Sequence, residues 1–207
     1  MGEPIALRAW SVAERIVAGV ALVGAVPLIS ICAAAVAAAS RNSPFVAHER
    51  VRRHGDTFWM WKLRTMWERD RPQGRVCLVE YLQDPFVPED KCADDPRVTH
   101  PLGRWLRRFS IDELPQLVHA VRGEMALIGP RPITRREFAE HYGDDAQEVL
   151  TVRPGISGLW QVSGRNRLTY AERKAFDLQY VRGRDALWNL RILLRTIPAI
   201  LRKAEVR

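Results

Sequence analysis

Residues Ile16 to Ala39 read IVAGVALVGAVPLISICAAAVAAA, and this stretch decides what kind of protein the chain folds into. It holds 24 consecutive positions without a charged side chain, enough at about 1.5 Å per helical residue to cross a hydrocarbon core of about 30 Å. A membrane segment is the first expectation. A cleaved signal peptide is the competing one, since Arg8 and Arg15 precede the run and small residues close it, but the run is long for a signal core. Pro27 stands mid-run, where it removes a helical hydrogen bond and is expected to kink the helix into arms of roughly 18 Å. Working outward, both flanks are basic: Arg8 and Arg15 before the run, Arg41, Arg50, Arg52 and Arg53 after it. Cytoplasmic flanks are the ones enriched in Lys and Arg, so a straight span would place one cluster on the wrong side. A re-entrant helix, turning at Pro27 and returning, keeps both in the cytoplasm and is favoured over a straight span.

The whole chain, 207 residues, is long enough for one globular domain with an appended segment. Its 32 Lys and Arg against 24 Asp and Glu give a net charge of +8, which calls for an anionic partner: nucleic acid, phospholipid head groups or phosphorylated substrates. The three cysteines, Cys32, Cys77 and Cys92, show no CxxC spacing and an odd count, suggesting neither a disulfide framework nor a zinc site.

Beyond the apolar run, residues 42–55 are polar and basic, and Thr57 to Leu63 (TFWMWKL) is aromatic-rich and reads as a strand. Residues 68–96 mix prolines with Asp70, Asp84, Glu89, Asp90, Asp94 and Asp95 and read as a long loop, strand-like only over 76–82. These acids lack the spacing of a calcium loop and are expected to be solvated charge. Thr134 with Glu137, and Thr169 with Glu172, have capping-box spacing ahead of helical segments. The glycine-rich stretch 152–166 carries Arg153 and Arg165, which together with backbone N–H groups suit phosphate, although no GxGxxG or GxxxxGK[ST] pattern is present. Near the C terminus, Leu187, Leu190, Leu194, Ile197 and Leu201 recur every three or four residues among Arg191, Arg195, Arg202 and Lys203. That is a basic amphipathic helix, bent at Pro198, packed on the domain or lying on a membrane surface.

The chemistry concentrates in Leu106 to Pro132, LRRFSIDELPQLVHAVRGEMALIGPRP, where the adjacent carboxylates Asp112 and Glu113 lie among Arg104, Arg107, Arg108 and Arg131. Ser110 and Glu113 spell a capping box, so a helix start is the plain reading, with a short helix over 114–121 closed by Gly123 and a strand-like MALI before the GPRP turn. A carboxylate held at a helix start is also a positioned one. For a nucleotide diphosphate sugar and a lipid phosphate, Asp112 suits a nucleophile and Glu113 a neighbouring acid or base. Mg²⁺ and the guanidinium groups of Arg107, Arg131 and Arg64 suit the task of offsetting phosphate charge. Direct attack by the lipid phosphate, with Asp112 only holding Mg²⁺, stays open.

These stretches resemble the bacterial sugar transferases, the monotopic polyprenyl-phosphate glycosyl-1-phosphate transferases. The resemblance runs through SPF (43–45), WKLRTM (61–66), DPRVT (95–99), LRRFSIDELPQL (106–117), GEMALIGPRP (123–132), RPGISGLWQVSGRN (153–166) and FDLQY (176–180). It implies transfer of a sugar 1-phosphate from a UDP-sugar to undecaprenyl phosphate with release of UMP, Mg²⁺ as cofactor, Asp112 as covalent nucleophile and metal ligand, and Glu113 beside it. It also implies that Lys62, Arg64, Arg107 and Arg131 surround the site. The chain is similar to the minimal catalytic form: a re-entrant membrane helix over 1–40, broken near Pro27, and a helix-rich α/β (α+β) catalytic domain over 41–207 with amphipathic interfacial helices at the cytoplasmic face of the bacterial inner membrane. It departs from the family at Arg52, at Glu14 in place of an aspartate, at the link containing His100 and Pro101, and at Trp160. A non-catalytic basic scaffold or nucleic-acid-binding protein is the reading from another class, and it gives no reason for DELPQ beside GPRP.

Overall fold

A computed structural model describes residues 4–67, 77–82, 98, 100–164 and 168–205. Residues 68–76 and 83–96 of the stretch expected to be a loop, Arg165, and all but Val98 of the DPRVT motif lie outside the described residues.

The apolar run belongs to α1, Ile5–Ser40, one helix assigned without interruption through Pro27. It is long and apolar enough to cross a membrane by length and composition. The break expected at Pro27 is therefore not an interruption of helical structure. Glu14, Ala18, Ile29, Cys32, Ala33, Val36 and Ser40 are buried, with Leu22 and Ala25 packed between them. These positions recur every three or four residues, so a single face of α1 meets the rest of the protein on both sides of Pro27. The opposite face, with Val12, Ile16, Val20, Val23 and Ile31, is exposed.

The domain is a helix-rich assembly of helices and small sheets, as the family resemblance implies. The largest sheet has strand order β2-β1-β3, from β1 (Phe45–Val51), β2 (Thr57–Leu63) and β3 (Val79–Leu82). β2 is the strand expected from its aromatic alternation, burying Phe58, Met60 and Leu63. The polar stretch after α1 hides the central strand β1, antiparallel to β2 and parallel to β3. His48, Glu49 and Arg50 interrupt its apolar alternation, and Arg50 is nonetheless buried, its guanidinium donating to the Glu49 carbonyl at 2.7 Å.

Helices α2 (Pro101–Arg108), α3 (Leu117–Arg122), α4 (Arg135–His141), α5 (Ala146–Val149), α6 (Leu159–Ser163), α7 (Tyr170–Gly183) and α8 (Ala186–Glu205) surround this sheet and a two-stranded parallel one. The smaller sheet pairs β4 (Ala126–Ile128) with β5 (Gly155–Ser157). α4 and α7 begin with the expected capping boxes: Thr134 Oγ1 accepts from the Glu137 N–H at 3.0 Å, and the Thr169 N–H donates to Glu172 at 2.7 Å. In α8 the domain-facing positions are Asn189 and Ile192, whereas Leu187, Leu190, Leu194 and Ile197 are exposed. These four residues therefore face away from the domain. Pro198 lies within α8 without ending it.

Candidate active site around the acidic pair

α2 ends in Arg107 and Arg108, and the chain then reverses at Ser110, whose φ of 55° lies in the left-handed region. The Ser110 carbonyl accepts from the Glu113 N–H at 3.2 Å, opening a 3₁₀ turn, Ile111–Gln116, with Asp112 and Glu113 in its first turn. The capping box expected at Ser110 is not formed: a left-handed serine aims its hydroxyl away from the N3 amide, and no side-chain cap is made. The expected helix over 114–121 is accordingly split, with 3₁₀ geometry to Gln116 and α-helix only from Leu117. Gly123, at φ 78°, closes it as expected.

Two buried residues anchor this turn. Leu106 and Ile111 pack with Leu63 and Trp67 against Cys32, Ala33 and Val36 of α1. The acidic pair is thus carried on a turn whose apolar flanks rest on the second half of the membrane-type helix. Facing it, Lys62 at the end of β2 brings its Nζ to 3.7 Å from Glu113. At 29% and 40% exposure for the two side chains, the contact stays open to solvent and to a substrate.

The remaining expected phosphate-binding residues divide. Arg64 is buried; it donates through Nε to the Ser43 carbonyl at 2.7 Å and pairs with Glu80 on β3. Its guanidinium ties β3 to the loop before β1. Arg153 pairs with Glu14 and Ser11 of α1 and donates to the Met125 carbonyl at 3.3 Å. Both arginines have protein partners that hold the framework together. Arg107 lies in the last turn of α2, directly before the acidic turn.

Arg131 belongs to a second cluster. The GPRP and RPG turns interlock, since Gly129 donates to the Ser157 carbonyl at 2.9 Å and Gly155 to the Pro130 carbonyl at 2.8 Å. A Cβ on Gly155 would fall 2.1 Å from the Gly129 nitrogen, so no larger residue fits there. Arg131 stands 5.2 Å from the Trp160 ring, and buried Arg173 stands 5.8 Å from the same ring. Beneath them Asp177 is buried, accepting from the Tyr142 hydroxyl at 2.8 Å and from the Arg131 backbone. Burial raises the Asp177 carboxyl to about 7, against the stabilising hydrogen bonds from Tyr142 and Arg131. Burial and the Arg131 charge lower Arg173.

Sequence reasoning named Arg131 but not Asp177, Tyr142 or Arg173. Asp177 sits inside the FDLQY stretch, and a single acid between Phe176 and Leu178 was the available signal. The cluster needs α4, α7 and the GPRP turn to converge, which no local pattern shows.

Among the described residues no three His, Cys, Asp or Glu side chains converge as a metal cage. Mg²⁺ does not require one: it keeps several waters and binds through one or two carboxylates together with substrate phosphates. Asp112 with Glu113 would supply such a donor set.

The description "Bacterial sugar transferase" belongs to the family model that matches residues 7–203. The chain is 41% identical to the exopolysaccharide production protein ExoY of Sinorhizobium fredii over 192 residues, covering 90% of this chain and 83% of that protein. It is also 41% identical to an undecaprenyl-phosphate galactose phosphotransferase of Salmonella typhimurium, over 75% of this chain and 33% of that one. An undecaprenyl-phosphate glucose phosphotransferase of Komagataeibacter xylinus is 31% identical over 92% of this chain and 36% of its own length.

Proposed function

We propose, from the premise that this chain belongs to the bacterial sugar transferase family, that it is a membrane-associated phosphoglycosyl transferase moving a sugar 1-phosphate from a UDP-sugar to undecaprenyl phosphate. UMP is released, and the product is a polyprenyl diphosphate sugar for exopolysaccharide synthesis. The observation that carries this reading is the 3.7 Å approach of Lys62 to Glu113, beside Asp112, on a turn seated against α1. That places two carboxylates and a cation next to an exposed apolar helix, where a soluble nucleotide and a lipid phosphate can meet.

In the first step an Asp112 oxygen attacks the phosphorus that bears the sugar, forming an acyl phosphate as the bond to UMP breaks. In the second, an oxygen of undecaprenyl phosphate attacks the same phosphorus, and Asp112 leaves as a carboxylate. Glu113 takes a proton from the acceptor phosphate as it attacks, with Lys62 holding Glu113 toward the site. Arg107 and Arg131 address the diphosphate. Mg²⁺, held by Asp112 and Glu113, supplies charge neutralisation and alignment of the phosphates when bound.

The membrane seat is supported by two faces. α1 packs along its length on one domain, which suits a helix whose ends lie on the same side, and its outer face is apolar. α8 turns Leu187, Leu190, Leu194 and Ile197 outward beside exposed Arg191 and Arg195, the composition of an interfacial helix. We assign the site to the cytoplasmic face of the inner membrane, with both ends of α1 on that face, because both flanks are basic.

The test is UMP release from a panel of UDP-sugars with Mg²⁺ and undecaprenyl phosphate. At least one donor gives UMP with the wild-type protein, and Asp112→Asn loses at least roughly 10³-fold in rate. A folded Asp112→Asn protein with wild-type turnover would remove the nucleophile from this account.

A further inference from the structure

Among the described residues, strand β2 is an outer strand of its sheet, so the backbone N–H groups it turns away from β1 need partners from elsewhere. One of them, Trp61, donates to Nε2 of His119 at 3.1 Å. A ring nitrogen that accepts carries no proton, which puts the proton on Nδ1, 2.6 Å from Glu124 Oε2. His119 is 2% exposed. The rings of Phe58 and Trp61 pack against it edge-on, at 5.2 and 6.0 Å. Burial lowers its pKa, outweighing the hydrogen bond it donates to Glu124, which raises it. Glu124 follows Gly123, whose left-handed turn folds the chain back so that a residue five positions on reaches the His119 ring.

The neighbour of Trp61 on β2 is Lys62, the cation that meets Glu113. We infer that His119 is a positioning residue for the transfer reaction: its Nε2, oriented by Glu124, fixes the open edge of β2 so that Lys62 faces Glu113. Without an acceptor there, the part-buried Trp61 N–H is left unsatisfied, and the strand edge that carries Lys62 is free to shift. A carboxylate orienting an imidazole that in turn holds a third group is a recurrent way to fix such geometry. The inference rests on Asp112 and Glu113 being the reacting pair.

The test is a double-mutant cycle on the full chain in detergent or nanodiscs, reading UMP release with undecaprenyl phosphate and melting temperature together. Asp112→Asn is run alongside. Activity persisting in that variant removes the reacting pair whatever His119 does, so the two failures are separable. With the pair intact, His119→Leu lowers kcat about ten- to a hundredfold, and His119→Gln, whose Oε1 can accept from Trp61, recovers most of it. On a Lys62→Met background the same His119→Leu change lowers kcat less than about twofold, because the group it positions is already gone. Losses that multiply in the two backgrounds, or a folded His119→Gln protein as impaired as His119→Leu, overturn the inference. ¹⁵N NMR of the wild-type imidazole decides independently of variant folding: the proton resides on Nδ1, and a proton on Nε2 overturns it.

Discussion

Glu14 of α1 and Arg153 of the loop before β5 form a buried ion pair between residues 139 positions apart in the chain. Glu14 also accepts from the backbone N–H of Leu127 on β4, at 3.3 Å. The carboxylate in the first part of the membrane-type helix is thus a structural pin, tying that helix to the small parallel sheet that carries the GPRP turn.

Because the pair is buried, removing one partner costs more than removing both. Arg153→Met leaves the Glu14 carboxylate without its cation and lowers stability by about 3–5 kcal/mol. The double variant Glu14→Leu, Arg153→Met restores most of that. Denaturant unfolding in a fixed detergent measures both, and equal losses in the single and double variants contradict the pin.

Lys62 and Glu113 behave in the opposite way. Their contact is partly exposed, so it adds at most about 1 kcal/mol to stability. Lys62→Met is therefore expected to unfold within a few degrees of wild type while losing about 10²-fold or more in turnover. Parallel melting and UMP-release assays check this; a large drop in melting temperature with retained turnover makes Lys62 a framework residue instead.

Asp177 predicts a pH signature. Its carboxyl is raised to about 7 in the fold by burial, above the ordinary 3.8. The native state therefore holds this proton more tightly than the unfolded chain between these values. The stability it contributes is full below about 3.8 and is lost as pH rises through about 7, where a buried charge must be carried. Asp177→Asn keeps an acceptor for Tyr142 and for the Arg131 N–H without that charge. Its stability relative to wild type rises from pH 5 to pH 8, by on the order of 3 kcal/mol, and a difference independent of pH refutes the assignment.

What the sequence disclosed follows from how local each feature is. β2 and the two threonine caps were legible because alternation and the Thr-x-x-Glu spacing act within a few residues. β1 was not, because a central strand carrying His48, Glu49 and Arg50 shows no apolar alternation. The acidic pair was legible through its chemistry, although the left-handed Ser110 makes its turn 3₁₀ rather than a capped helix. The partners of Arg153 and His119 were not: Glu14 and Trp61 reach them only through the packing of α1 on β4 and of α3 against β2.

The topology proposed for α1 rests on its single buried face and its two basic flanks. Single cysteines at the exposed positions 8 and 56, in a chain with Cys32, Cys77 and Cys92 replaced, are expected to react with a membrane-impermeant thiol reagent from the same side of sealed inverted vesicles. Labelling from opposite sides makes α1 a span.

The central claim is that Asp112 becomes covalently attached to the sugar phosphate. Incubation with Mg²⁺ and an accepted UDP-sugar, without undecaprenyl phosphate, followed by rapid quenching and peptide mass spectrometry, reads it directly. A sugar phosphate adduct on the peptide containing Asp112, with UMP formed alongside and neither seen in Asp112→Asn, is the predicted result. UMP formation that requires the acceptor in every turnover, with no adduct at any time, contradicts the covalent route and leaves direct attack by the lipid phosphate.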